Sequence, residues 1–122
     1  MNTVIITAGG IGKRMNSNIP KQFLELGGTP ILMHTIRRFY DFDSAIEILV
    51  TLPKDWWSYW EELCIKHNFQ IPVQIIEGGK ERFDSIQKAV QFAKGEIIAV
   101  HDGVRPLVSK KTIQDAFKLA QA

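Results

Sequence analysis

The sequence predicts a doubly wound α/β fold with a mostly parallel sheet. Two observations carry this reading. Short, continuously apolar runs alternate with segments of helical spacing, and a glycine-rich stretch follows directly on the first apolar run. The strand runs are Val4 to Ile6, Ile46 to Leu52, Val73 to Ile76 and Ile97 to Val100. Unbroken apolar runs of this length suit strands buried on both faces of a parallel sheet. Between them, Pro30 to Tyr40, Asp55 to His67 and Asp84 to Ala93 repeat their apolar residues at helical spacing. Thr29-Pro30 is expected to cap the first helix and preset its first turn. Pro53-Lys54-Asp55 precedes the second, and Lys94-Gly95 is expected to end the third. A last helix, capped by Ser109 and carrying Ile113, Phe117 and Leu119, would still be running at Ala122. Four strands and an unclosed helix leave the sheet incomplete at its C-terminal side, so the expectation is the first part of a longer protein.

Composition bounds the function. A chain of 122 residues supports one domain, and 45% hydrophobic with 23% charged residues is ordinary for a globular one. A formal charge of +2 argues against a general polyanion surface and so against a nucleic-acid partner. The single cysteine, Cys64, forms no internal disulfide and suits a reducing cytosol. No apolar run approaches the roughly 20 residues of a membrane span, and a strand begins where a signal peptide would lie. A soluble cytoplasmic domain with no membrane partner is expected.

The stretch TAGGIGKRMNSNIPKQF, residues 7–23, places three glycines and three cations after the first strand. A Walker loop would need glycine at Thr7 and a hydroxyl at Arg14, and fails at both. A dinucleotide fingerprint begins at Gly10-Ile11-Gly12 but meets Met15 at its third glycine, which disfavours a dehydrogenase. A nucleotidyltransferase loop fits better. Gly9, Gly10 and Gly12 let the backbone approach a triphosphate, and Lys13, Arg14 and Lys21 face its charge. Downstream, Asp102 follows the run Ile97 to Val100 at a strand's carboxyl end. There it suits Mg²⁺, which prefers one or two carboxylates plus phosphate oxygens and water, or it simply turns the chain. Ser85 can hydrogen-bond a base or cap a helix. His34 has no partner at ligand spacing and reads as a packed or surface residue, and His67 as a helix-end residue. Trp56 and Trp60 share a helical face with Cys64, so core packing and a buried, inert thiol are expected there rather than a stacking surface for nucleic acid.

TAGGIGKRM, PKQFL, GGKERFDSI and HDGVRP, in that order and spacing, resemble the 2-C-methyl-D-erythritol 4-phosphate cytidylyltransferase family of isoprenoid biosynthesis. The likeness spans nearly the whole chain but only about the first half of a family member. The ribitol 5-phosphate cytidylyltransferases of teichoic acid synthesis carry similar motifs. The resemblance implies a Rossmann-like fold of the nucleotide-diphospho-sugar transferase kind, with residues 1–122 forming the nucleotide-binding part of one cytidylyltransferase domain. It implies that Ala8, Gly9, Gly10 and Gly12 wrap the phosphates of CTP, while Arg14 and Lys21 stabilise the transition state. It puts Gly79, Lys80 and Ser85 around cytosine and ribose, although Lys80 stands where an acidic residue is often found. Asp102, Gly103 and Arg105 join the nucleotide site, with Asp102 also a ligand for Mg²⁺ or another divalent cation. Implied partners are CTP, a polyol phosphate acceptor and, in the full-length protein, a second copy in a homodimer. The family's second metal-site aspartate, its acceptor-binding residues and its dimer arm lie beyond the matched stretch. Residues 1–122 alone are therefore expected to bind CTP weakly and turn over poorly. A non-catalytic nucleotide sensor is the rival reading, opposed by the joint presence of Arg14, Lys21 and Asp102.

Overall fold

The computed structural model describes residues 2–8, 20–78 and 81–103. Within them the order is β1 (Asn2–Thr7), β2 (Glu25–Leu26), β3 (Thr29–Pro30), α1 (Ile31–Phe42), β4 (Glu47–Leu52), α2 (Trp57–Lys66), β5 (Gln74–Glu77), α3 (Arg82–Phe92) and β6 (Ile97–Asp102). The four longer strands form one sheet in the order β5-β4-β1-β6, and every pairing is parallel. The last helix expected from Ser109 lies outside the described residues.

The order of strands explains the layers. The chain steps from β1 to β4 to β5 in one direction, then jumps back to the far side of β1 for β6. Right-handed crossovers put helices on one face for steps one way and on the other face for steps back. Accordingly α1 and α2 share a face, where Leu32, Met33, Ile36, Phe39, Trp60 and Leu63 pack on Val4, Ile6, Ile48, Val50 and Leu52. α3 covers the opposite face with Ala89 on Ile5, Leu49 and Ile76. Successive strand residues alternate between these two cores, as the two-residue period of a strand requires. β1 is buried from both sides, whereas β6 is only partly buried along its length.

Three local expectations need correction. Thr29 is no helix cap: it pairs with Leu26 across a two-residue hairpin, and the cap position belongs to Pro30, without a side-chain cap bond. One of the first α1 amides, which lack intrahelical acceptors, is met from outside, Ile31 N donating to Leu24 O at 2.8 Å. The hairpin turn needs Gly27 and Gly28, whose φ angles of 66° and 86° suit residues without a Cβ. Asp55 falls in a short 3₁₀ turn, Lys54–Trp56, before α2 begins at Trp57. Gly95, finally, does not terminate α3, which ends at Phe92 with Ala93 extended. Its role is close approach. A Cβ there would lie 2.3 Å from Thr3 Oγ1 and 2.8 Å from Thr3 N.

That approach closes a clasp at the amino ends of β1 and β4. Thr3 Oγ1 donates to Glu47 Oε1 at 2.7 Å and accepts from Gly95 N at 2.9 Å, while Lys94 N donates to Glu47 Oε1 at 2.7 Å. Partial burial works to raise the Glu47 pKa. The Lys94 amide, the Thr3 hydroxyl, the Lys94 charge and the Gly95 amide outweigh it, and the carboxyl is held below 4.5. A carboxyl with a depressed folded pKa stabilises the fold above its unfolded value and loses that contribution as pH falls through the folded one. The melting-temperature advantage of wild type over Glu47→Gln is therefore greatest above pH 4.5 and closes as pH drops below it. Melts recorded from pH 7 to pH 3 check this.

Candidate nucleotide site at the carboxyl ends of the strands

The site region follows from topology. In an open parallel sheet the ligand crevice lies outside the carboxyl ends of the strands, where the strand order reverses. Here the reversal falls between β1 and β6, so Ala8 and Asp102 border it. In register, Thr7 pairs with Asp102. The chain is then held in three more places. Ala8 N donates to Thr51 O at 3.0 Å, Gly103 N donates to Thr7 O at 2.9 Å, and Thr35 Oγ1 of α1 donates to Gly103 O at 2.8 Å. Asp102 thus ends a strand fixed to both β1 and α1, and is partly buried.

Lys21 reaches the same edge from another direction. It opens a 3₁₀ turn, Lys21–Phe23, and is itself exposed, while Gln22 and Phe23 behind it are both 3% exposed. Gln22 Nε2 donates to the Ala8 carbonyl, tying this turn to the end of β1. Phe23 wedges into the aromatic group of α2 and the turn before it, 5.8 Å from Trp56, 5.3 Å from Tyr59 and 6.2 Å from Trp60. The tryptophans therefore serve the core, as their helical spacing indicates. Trp57 Nε1 donates to Leu52 O at 2.9 Å, and Gly78 N donates to the same oxygen at 3.1 Å, so the ends of β4 and β5 are joined.

Ser85 is buried near these ends, but not as a helix cap. Glu81 holds the cap position of α3, and Ser85 Oγ bonds back to Glu81 O at 3.3 Å from inside the helix. A Cβ on Gly78 would lie 3.4 Å from that hydroxyl, so the serine and the loop entering α3 are in close contact. Ala8, Lys21, Ser85, Asp102 and Gly103 are thus all carried at the carboxyl edge of one sheet. Gly9, Gly10, Gly12, Arg14, Gly79, Lys80 and Arg105 lie outside the described residues. Among the described residues no group of three or more His, Cys, Asp or Glu side chains could hold a metal ion unaided.

The remaining singled-out residues are structural. His34 Nε2 donates to Leu26 O at 2.7 Å, and His67 caps α2 with Nε2 3.8 Å from Glu25 Oε2. Cys64 is half-buried, and desolvation with the neighbouring Glu61 charge pushes its thiol up to about 11, which keeps it protonated and inert. The sequence reading missed Gln22. No signal in the sequence marks it, because its burial and its bond to Ala8, 14 residues away, arise only in the folded chain.

The parallel sheet, with helices on both faces and a switch point between β1 and β6, defines a doubly wound α/β fold. Its fold matches the 4-diphosphocytidyl-2C-methyl-D-erythritol synthase of Anaerococcus prevotii with a TM-score of 0.77 at 24% identity, over 97% of this chain and 49% of that one. The sequence model of the 2-C-methyl-D-erythritol 4-phosphate cytidylyltransferases matches residues 2–122, and the chain belongs to that family. It is 47% identical to the enzyme of that name from Phocaeicola vulgatus and 52% identical to that of Azobacteroides pseudotrichonymphae, in each case over 119 residues, 97% of this chain. The chain spans about half, 54%, of the length of these relatives. No helix among the described residues is long and apolar enough to cross a membrane.

Gly103 offers a test of the frame. A Cβ there would sit 3.0 Å from Thr7 O, 3.2 Å from Leu32 Cδ1 and 3.3 Å from Ile6 Cγ2. The Thr7 oxygen is already engaged by the Gly103 amide and cannot retreat without loosening that bond. Gly103→Ala should destabilise the fold by about 1–3 kcal/mol, the usual range for overpacking, read by urea denaturation.

Proposed function

We propose that the protein carrying this chain transfers CMP from CTP to 2-C-methyl-D-erythritol 4-phosphate and releases pyrophosphate, with residues 1–122 as the nucleotide-binding part of its domain. The single observation that carries the reading is that Ala8, Asp102 and the turn bearing Lys21 are tied together at the switch point of a sheet in a chain of this family. In the reaction, an acceptor phosphate oxygen attacks the α-phosphorus of CTP and the bond to pyrophosphate breaks. Negative charge gathers on a crowded centre, and fixed cations that bind this state better than the ground state lower the barrier.

Lys21 supplies one such cation as a compact point charge, and Arg14 supplies another as a planar fork. The backbone from Ala8 through Gly9, Gly10 and Gly12 holds the phosphates. Gly79, Lys80 and Ser85 hold base and ribose, and Gly103 and Arg105 complete the nucleotide pocket. Asp102 is the residue suited to a divalent cation, together with phosphate oxygens and water, and Mg²⁺ bound there would neutralise triphosphate charge. No covalent nucleophile is needed. The protein acts as a homodimer in the cytoplasm.

Pyrophosphate release by the natural gene product, with CTP, Mg²⁺ and either 2-C-methyl-D-erythritol 4-phosphate or ribitol 5-phosphate, tests the reading. Turnover is expected with the first acceptor and not the second. Lys21→Ala should lower kcat by about 100-fold or more and change KM for CTP far less, as loss of a transition-state contact does. Turnover with ribitol 5-phosphate alone would reassign the acceptor, and turnover with neither would overturn the proposal.

A further inference from the structure

We propose that Gln22 is a positioning residue for the transfer, acting through Lys21; this rests on the cytidylyl-transfer reading above. The side chain is 3% exposed, and its Nε2 donates to the Ala8 carbonyl, the last described backbone group before the glycine-rich stretch. Ala8 is thereby held at both ends of its residue, its amide by Thr51 O at 3.0 Å and its carbonyl by Gln22. Burial of an amide side chain is tolerated when its polar atoms are partnered, and it then fixes geometry more strictly than an apolar contact.

Lys21 precedes this anchor by one residue in a turn only three residues long. Phe23 N donates to Pro20 O at 3.0 Å and Leu24 N donates to Lys21 O at 3.1 Å, so the turn is internally closed. On its far side Phe23 is seated among Trp56, Tyr59 and Trp60. The exposed lysine is therefore carried on a turn held by two buried anchors, both following it in the chain. Phe23 ties the turn to α2, and Gln22 ties it to the strand end that also registers with Asp102. Among the described residues it is the Gln22 anchor that refers the turn carrying Lys21 to the end of β1. Removing the donor while keeping the bulk leaves the turn and its aromatic seat but frees the strand end from the lysine. A misplacement of about 1 Å is enough to lose on the order of 100-fold in rate.

The test is a double-mutant cycle in the natural gene product, with kcat and KM for CTP measured by pyrophosphate release. Gln22→Met keeps length and loses the donor. It should lower kcat by about 10- to 100-fold in the wild-type background, with KM for CTP changed by less than about 3-fold, and by less than about 2-fold in a Lys21→Ala background. Equal losses in both backgrounds would overturn the proposal, as would a change confined to thermal stability. Gln22→Glu supplies a second reading should the methionine variant fold poorly. Its carboxylate cannot donate to the Ala8 carbonyl, but its protonated form can, so its kcat relative to wild type should rise as pH falls. A ratio independent of pH would count against the assignment. A wild-type protein that released no pyrophosphate would instead overturn the cytidylyl-transfer reading itself, an outcome distinct from additive losses in an active enzyme.

Discussion

The rest of the molecule depends on the fixing of the carboxyl end of β1. That strand is paired on both sides, with β4 and with β6, and its residues from Thr3 to Thr7 are buried. At its end the ladder does not simply stop. Ala8 N continues the pairing to Thr51 O, Thr7 O receives Gly103 N, and the Ala8 carbonyl receives the Gln22 amide. Four separate segments, from β1, β4, β6 and the 3₁₀ turn, are thus located by two consecutive residues. A chemistry that needs a cation, a carboxylate and open backbone within one phosphate's reach can be served by such a joint without a dedicated scaffold for each group.

The opposite end of the sheet is built for a different purpose. Thr3, Glu47, Lys94 and Gly95 form a closed set of hydrogen bonds among the amino ends of β1 and β4 and the approach to β6. Its close packing at Gly95 against Thr3 brings the approach to β6 against the start of β1. The two ends together fix register. A slip of one residue in a strand buried on both faces would exchange its two cores, placing Val4 and Ile6 under α3 and Ile5 under α1. Position at the functional edge is therefore inherited from packing along the whole strand.

The fold class was legible because its signals are of long range in sequence but simple in kind. Continuous apolar runs mark β1, β4, β5 and β6, and helical spacing marks α1, α2 and α3, within a few residues of the observed ends. The errors lie at element boundaries, where tertiary contacts decide. Thr29 has the chemistry of a cap, yet the Gly27-Gly28 turn draws it into a hairpin. Gly95 has the chemistry of a helix stop, yet its absent side chain makes room for Thr3. Of the two roles open to Ser85, bonding a base or capping a helix, the cap is ruled out because the helix starts three residues earlier at Arg82. At the candidate site, Lys21 and Asp102 could be singled out by residue type and place in the sequence, Ala8 and Gly103 through the family resemblance alone. Gln22 could not, because the bond that gives it meaning spans 14 residues and exists only once the 3₁₀ turn folds back on β1.

The central claim is that CTP occupies the carboxyl edge of the sheet at the β1–β6 switch point. Amide hydrogen exchange of the natural gene product, with and without CTP and Mg²⁺, tests it most directly. The account predicts slower exchange at Ala8, at Lys21 to Phe23, at Ser85 and at Asp102 and Gly103, with the far end of α2 from Glu61 to Lys66 unchanged. Protection confined to α2 or to the Glu47 clasp, or no protection at saturating CTP, would contradict it.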